Sequence, residues 1–226
     1  MIYLEQNIKA LCKRNGIEFD DFLNDMDADN VHELSIFDLQ AVCEEYETDF
    51  QSLMFKPMFR NDLYGKKLSK IKLIVLDVDG VMTDGGMYFT ENGDQFKKYN
   101  TKDGMGIQHL IKNGYQVAII SSGFKAEMVK ARASMLGIQH CIVSRDPKID
   151  LLRGLCKELS ITLDEVAIIG DDINDLEVMR NVGVSAAPVD AVPVVKSQVD
   201  IILNTKGGQG CVREFIDAYL MKSPIE

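Results

Sequence analysis

From Ile71 onward, short uninterrupted apolar runs alternate with longer stretches of helical spacing. The runs are "IKLIVLDVDG", "YQVAIISSG", "HCIVSR", "EVAIIGDD" and "VDIIL", all rich in β-branched residues. Residues 104–113, 125–136, 148–159, 174–182 and 212–221 read as the helices among them. Strands that are apolar throughout, alternating with helices, predict a parallel sheet covered on both faces. The expected fold class is therefore α/β, with a Rossmann-like parallel sheet whose ligands bind at the carboxyl ends of the strands. Residues 84–106 break the alternation. There Asn92-Gly93 supplies a turn between Met87, Tyr88, Phe89 and Phe96, Lys97, Lys98, Tyr99, so the insert reads as a β-hairpin. An exposed hairpin this aromatic needs a partner.

Before this region the pattern is helical. Ile8, Leu11 and Cys12 repeat at helical spacing, as do Leu39, Val42 and Cys43. Gly16 is expected to end the first helix, Asp20 or Asp21 to cap the second and Ser35 the third. The predicted organisation is an all-α module over 1–55, a linker over 56–69 with a Pro, a Gly and several basic residues, and the α/β domain over 70–226. The order "NIKALCKRNGIEFDDFLNDM" then "SIFDLQAVCEEYETDFQSLMF" resembles small helix-turn-helix domains of phage-repressor type.

Charge separates the two parts further. The formal net charge is −10 over 226 residues. Residues 1–55 hold 13 acidic and three basic residues, so they carry all of it, and the remainder nets zero. Binding to DNA requires phosphate neutralisation by Lys and Arg, which this module lacks. Packing or a protein partner is the better expectation for it. A 46% hydrophobic content allows a real core. No apolar run reaches the roughly 20 residues of a membrane span, and the N-terminus does not read as a signal peptide. The five cysteines form no CxxC pair and the three histidines have no ligand spacing. A cytoplasmic protein without disulfides or a zinc site is expected.

The chemistry concentrates at strand ends. Asp77-Val78-Asp79-Gly80 places two carboxylates at the tip of an apolar strand, where charges are costly unless paired or metal-bound. Gly170-Asp171-Asp172-Ile173-Asn174-Asp175 is a second acidic cluster in the same topological position, although Asp172 or Asn174 could simply cap the next helix. Together the clusters form an oxygen-rich site suited to Mg²⁺. Ser121 or Ser122 ends the second strand, where a hydroxyl and backbone N–H groups could hold a phosphate oxygen. Lys148 opens a helix after the third strand and could neutralise phosphate and an attacking carboxylate.

DxDG, a Ser after a strand, a Lys and GDDxxD, in that order, resemble the four motifs of the haloacid dehalogenase superfamily. The resemblance implies that Asp77 is the nucleophile and that Asp79 protonates the leaving oxygen and then activates water. It implies Mg²⁺ held by Asp77, the Asp79 carbonyl and Asp171, with Asp172 and Asp175 in support. About 40 residues separate Asp77 from Ser121, too few for a cap domain. The runs "DVDGVMTDGGMY", "FKKYNTKDGMGI", "GDDINDLEVMRNVGVSAAPVDA" and "GGQGCVREF" resemble the 3-deoxy-D-manno-octulosonate 8-phosphate phosphatases and their relatives acting on nonulosonate 9-phosphates. That implies a phosphorylated sugar acid as substrate and a homotetramer built through the 84–106 hairpin. It also implies a loop near residues 207–213 reaching toward a site, and substrate contacts from Lys102, Ser122, Gly123 and Arg132. One departure stands out: Phe124 occupies the position where the family carries Arg or Glu.

Overall fold

The computed structural model describes residues 3–55, 60–93, 95–123 and 126–221. The chain divides into two compact units, Met1–Tyr64 and Gly65–Glu226.

The first unit contains α1 (Leu4–Arg14), α2 (Phe19–Asp25), α3 (Ile36–Glu45), α4 (Phe50–Phe55) and the start of α5 (Arg60–Leu68). Leu4, Ile8, Leu11, Phe22, Leu39, Val42 and Leu53 close one small core. Ser35 caps α3: its hydroxyl accepts from the Asp38 N–H while its own N–H donates to Asp38. Asp20 and Asp21 do not cap α2. Glu18 holds that position, and both aspartates lie in the first turn, where acidic side chains favour the helix dipole. Residues 60–68, inside the stretch expected as a linker, are helical.

The second unit holds β1 (Leu73–Leu76), the hairpin strands β2 (Tyr88–Phe89) and β3 (Gln95–Phe96), α6 (Thr101–Lys112), β4 (Gln116–Ser121), α7 (Ala126–Leu136) and β5 (His140–Val143). These are followed by α8 (Lys148–Leu159), β6 (Val166–Ile169), α9 (Leu176–Met179), β7 (Val184–Ala187), α10 (Pro193–Lys196), β8 (Ile201–Ile202) and α11 (Cys211–Phe215). Six strands form one parallel sheet in the order β5-β4-β1-β6-β7-β8. Leu73, Ile74, Val75 and Leu76 are all buried, as a strand covered on both faces requires.

Two expectations need correction. The helix read over 174–182 is only α9, preceded by a tight turn over 173–175. A sixth strand, β7, was not expected, because "VSAA" lacks the bulky apolar pattern of the other runs. The hairpin is present and, among the described residues, pairs two on each side, Tyr88 with Phe96 and Phe89 with Gln95.

β1 pairs with β4 on one side and β6 on the other, and after β5 the chain crosses back over β1 to reach β6. The crevice at this reversal of strand order is where α/β sheets bind ligands. Asp77, Ser121 and Asp171 all follow or end these three strands.

Candidate active site

Asp77 leaves the tip of β1 and is buried. Its Oδ1 lies 2.9 Å from the Lys148 ammonium, which also donates to Asp175 Oδ1 at 2.7 Å. The Lys148 side chain is 3% exposed. It is therefore a buried cation clamped between two carboxylates, held there by the first turn of α8. The second oxygen of Asp175 accepts from the Asp171 N–H at 3.2 Å. Gly170 makes this possible, since a Cβ there would meet the Asp175 carboxylate 2.5 Å away.

Carboxylate oxygens of Asp77, Asp171 and Asp175 lie within 4.8 Å of one another. Among the described residues, Asp171 Oδ1 is buried with no hydrogen-bond partner. The crowded carboxylates and the orphaned anionic oxygen of Asp171 suit a hard divalent cation, which takes oxygen ligands. Crowding shows in the proton affinities. Burial, then the charge of Asp175, pushes Asp77 up to about 7 despite Lys148. Burial, then Asp77, Asp175 and Asp172, push Asp171 up to about 8. Burial by itself would lower Lys148, but Asp77 and Asp175 outweigh it and the amine stays above its usual value. The amine thus remains charged while the carboxylates share the deficit.

After Asp77 the chain turns sharply. Asp79 is extended and Gly80 sits at φ +86°. Glycine is required twice over at this position, because a side chain there would also collide with the Asp171 carboxylate. Thr83 donates to the Val78 carbonyl at 3.2 Å and lies 3.5 Å from Asp79 Oδ1. On the other wall, Ser121 is buried and its Oγ accepts from the Gly123 N–H at 3.3 Å.

A cavity of about 450 Å³ opens above these groups, lined in part by Asp77, Asp79, Ser121, Ser122, Gly123 and Asp171. Asp172 joins this lining and also accepts from the Ile173 N–H at 2.7 Å, so it caps the turn as well as facing the pocket.

Two expected substrate contacts lie elsewhere. Lys102 is exposed in the first turn of α6, where its N–H donates to the Asn100 side chain. Arg132 lies over the Tyr99 ring, 5.3 Å from its centroid, and donates to the Asn100 carbonyl at 3.4 Å. Neither lines the cavity. Phe124 falls outside the described residues.

Lys97 carries no chemical signal in the sequence, where it reads as one alternating hairpin position. In the fold its ammonium contacts Asp79 Oδ1 and the residue lines the cavity. The tail loop over 207–210 does pack against the first motif. Gly208 donates to the Val81 carbonyl at 2.9 Å and accepts from the Asn100 side chain at 3.2 Å. Gly207 approaches the Gly80 carbonyl so closely that no side chain fits.

A family model described as haloacid dehalogenase-like hydrolase matches residues 144–216. The 3-deoxy-D-manno-octulosonate 8-phosphate phosphatase KdsC of Salmonella typhi is 39% identical over 155 residues, covering 69% of this chain and 82% of that enzyme. The crystal structure of 3-deoxy-D-manno-octulosonate 8-phosphate phosphatase from Yersinia pestis superposes with a TM-score of 0.67 at 38% identity, covering 69% of this chain and 84% of the other. The Moraxella catarrhalis enzyme, in complex with magnesium ion, phosphate ion and a KDO molecule, superposes with a TM-score of 0.67 at 37% identity. That match covers 70% of this chain and 90% of the other. At 39% identity over 155 residues, covering 69% of this chain and 82% of that relative, the chain belongs to the 3-deoxy-D-manno-octulosonate 8-phosphate phosphatase family of haloacid dehalogenase-like hydrolases.

Proposed function

We propose that the protein is a phosphomonoester hydrolase that converts 3-deoxy-D-manno-octulosonate 8-phosphate to the free sugar acid and inorganic phosphate. The observation that carries this reading is the buried Lys148 ammonium bridging Asp77 and Asp175 beneath a pocket into which Asp79 also faces. Asp77, Asp171 and the main chain at Asp79 would hold Mg²⁺, which when bound offsets negative charge on the phosphoryl oxygens. The orphaned Asp171 oxygen supports that assignment.

The Asp77 carboxylate attacks phosphorus while the bond from phosphorus to the sugar oxygen breaks. That oxygen takes a proton from the Asp79 carboxyl. The Asp79 carboxylate then takes a proton from water, whose oxygen attacks the aspartyl-phosphate and releases Asp77 and inorganic phosphate. Two easier displacements replace one difficult one. Ser121 or Ser122, with the Gly123 N–H, would hold a phosphoryl oxygen. Asp175 keeps Lys148 aimed at Asp77, and Asp172 shapes the rim. Lys102 and Arg132 would reach substrate only across a subunit boundary.

A homotetramer through the 84–106 hairpin is part of the same proposal. Its support is that Met87, Phe89 and Phe96 are each more than half exposed in the single chain. Five free cysteines agree with a reducing, cytoplasmic setting. Among the described residues no helix is long and apolar enough to cross a membrane. We read residues 1–55 as a protein-contact module joined by 56–69 to the phosphatase domain over 70–226. The third helix, where a DNA-reading helix would lie, contains no Lys or Arg.

The test is Mg²⁺-dependent phosphate release from octulosonate 8-phosphate, a nonulosonate 9-phosphate and a hexose 6-phosphate, with Asp77→Asn as control. Preferred turnover of the first, lost in Asp77→Asn, is the expected result. Preference for the nonulosonate 9-phosphate would move the assignment to the nine-carbon branch. Release that survives Asp77→Asn would overturn the mechanism.

A further inference from the structure

The returning arm of the hairpin alternates beyond its two paired residues: Phe96 and Lys98 are exposed, while Lys97 and Tyr99 are half-buried. Lys97 thereby turns into the catalytic crevice. Its side chain is 13% exposed and its ammonium contacts Asp79 Oδ1. Among the described residues that line the cavity it is the sole Lys or Arg.

The two oxygens of Asp79 sit in different surroundings. Oδ1 faces the Lys97 ammonium and has the Thr83 hydroxyl at 3.5 Å. Oδ2 faces Gly123, where a Cβ would lie 3.9 Å from Oδ2 and 3.4 Å from the Ser121 hydroxyl. An oxygen that accepts from an ammonium cannot at the same time direct a proton toward it, because a donor would then face a donor.

We propose that Lys97 is a positioning residue for the acid: by occupying Oδ1 it confines the transferable proton of Asp79 to Oδ2, the oxygen turned toward the phosphoryl pocket. This rests on the phosphatase reading and adds the residue that orients its acid. In the first half-reaction the Oδ2–H bond breaks and its proton goes to the leaving oxygen as the P–O bond opens. In the second half-reaction a proton of the attacking water returns to Oδ2. Lys148 does a different job from below, since it touches Asp77 and Asp175 rather than Asp79.

The experiment exploits leaving-group chemistry. An alkyl phosphate needs protonation of its leaving oxygen, whereas p-nitrophenyl phosphate departs as a stable phenolate. Positioned general acids contribute about 10²–10⁴-fold. Lys97→Met retains the aliphatic stem and removes the charge. We expect it to lower the ratio of the single-turnover rate of leaving-group release from octulosonate 8-phosphate to that from p-nitrophenyl phosphate, the one step in which the two esters differ, by roughly 30-fold or more. Lys97→Arg should recover most of that ratio.

An unchanged ratio, with both substrates slowed alike or neither slowed, overturns the proposal. So does a rise in KM for the sugar acid with kcat intact, which would make Lys97 a substrate ligand. If the wild type prefers hexose 6-phosphate, the substrate assignment fails, but the ratio is taken with that ester and still decides the role of Lys97. If no ester is turned over, a crystal of the full chain with Mg²⁺ and tungstate decides it. Lys97 on Asp79 Oδ1 supports the proposal, and Lys97 on the oxyanion refutes it.

Discussion

Removing the metal should make this protein's stability fall as pH rises, in a window set by its own carboxylates. In the metal-free fold Asp77 is raised to about 7 and Asp171 to about 8, from ordinary values of 3.8. Between those limits the folded state keeps protons that the unfolded chain has already released. Stability therefore declines from about pH 4 to pH 8. At about 1.4 kcal/mol per unit, Asp77 accounts for roughly 3 kcal/mol between pH 5 and 8. Asp171 would add a similar amount, but it is partly open to solvent, so only about half is counted. The Asp171 shift also includes the charge of Asp77, which brings the expected total to roughly 3–5 kcal/mol. Asp103, raised to about 6 mainly by burial, adds to the slope below that pH and is independent of metal. The assay is amide hydrogen exchange in β1 and β6, which reports this unit alone, at pH 5 and 8 in EDTA and in excess Mg²⁺. Mg²⁺ should flatten the decline, since a ligand that binds only the folded state stabilises it. Asp171→Asn should raise metal-free stability at pH 8 by about 2 kcal/mol while abolishing the Mg²⁺ response. A metal-free protein whose stability is flat from pH 5 to 8, or an Asp171→Asn variant less stable than wild type at pH 8, would refute the argument.

Two other outcomes are expected. Lys148→Met strands Asp77 and Asp175 without their buried counter-charge. It should cost about 3–5 kcal/mol in urea unfolding and lower kcat by at least about 10³-fold; a loss below 1 kcal/mol would show that the clamp is not structural. Phe89→Ser combined with Phe96→Ser should reduce the sedimenting mass from four chains to one while leaving the single-chain fold intact by circular dichroism. A wild-type protein that already sediments as one chain would remove the hairpin assembly.

The parts of the fold that were legible share a physical cause. Strands β1, β4 and β6 are buried on both faces, so their composition cannot be anything but apolar and β-branched, and they read directly. Aspartates at two such tips stand out because burial penalises them unless something compensates. Lys148 was legible as the first residue of a helix with strong periodicity. Strand β7 was not, because its small residues pack against neighbours that supply the bulk. Nor was Lys97, because alternation in a hairpin states which face a side chain takes but not what stands opposite. Arg132 shows the same limit. Its position over the Tyr99 ring and against the Asn100 carbonyl has no signal in the helical spacing around it.

The charge balance of the site explains why these groups come as a set. Asp77, Asp171 and Asp175 carry three negative charges within one cluster, and Lys148 returns one. The residue of two negative charges is matched by a single divalent cation. Asp175 does not compete for that ion, since Lys148 and the Asp171 N–H engage its two oxygens. Asp171 is the carboxylate left with a buried, unpartnered oxygen. Asp79 stands outside this cluster, its Oδ1 in contact with Lys97. A site that is neutral with its metal can admit a phosphate dianion without net repulsion, whereas the metal-free site opposes it. Phosphate binding and metal binding should therefore be positively coupled, each tightening the other by the same factor.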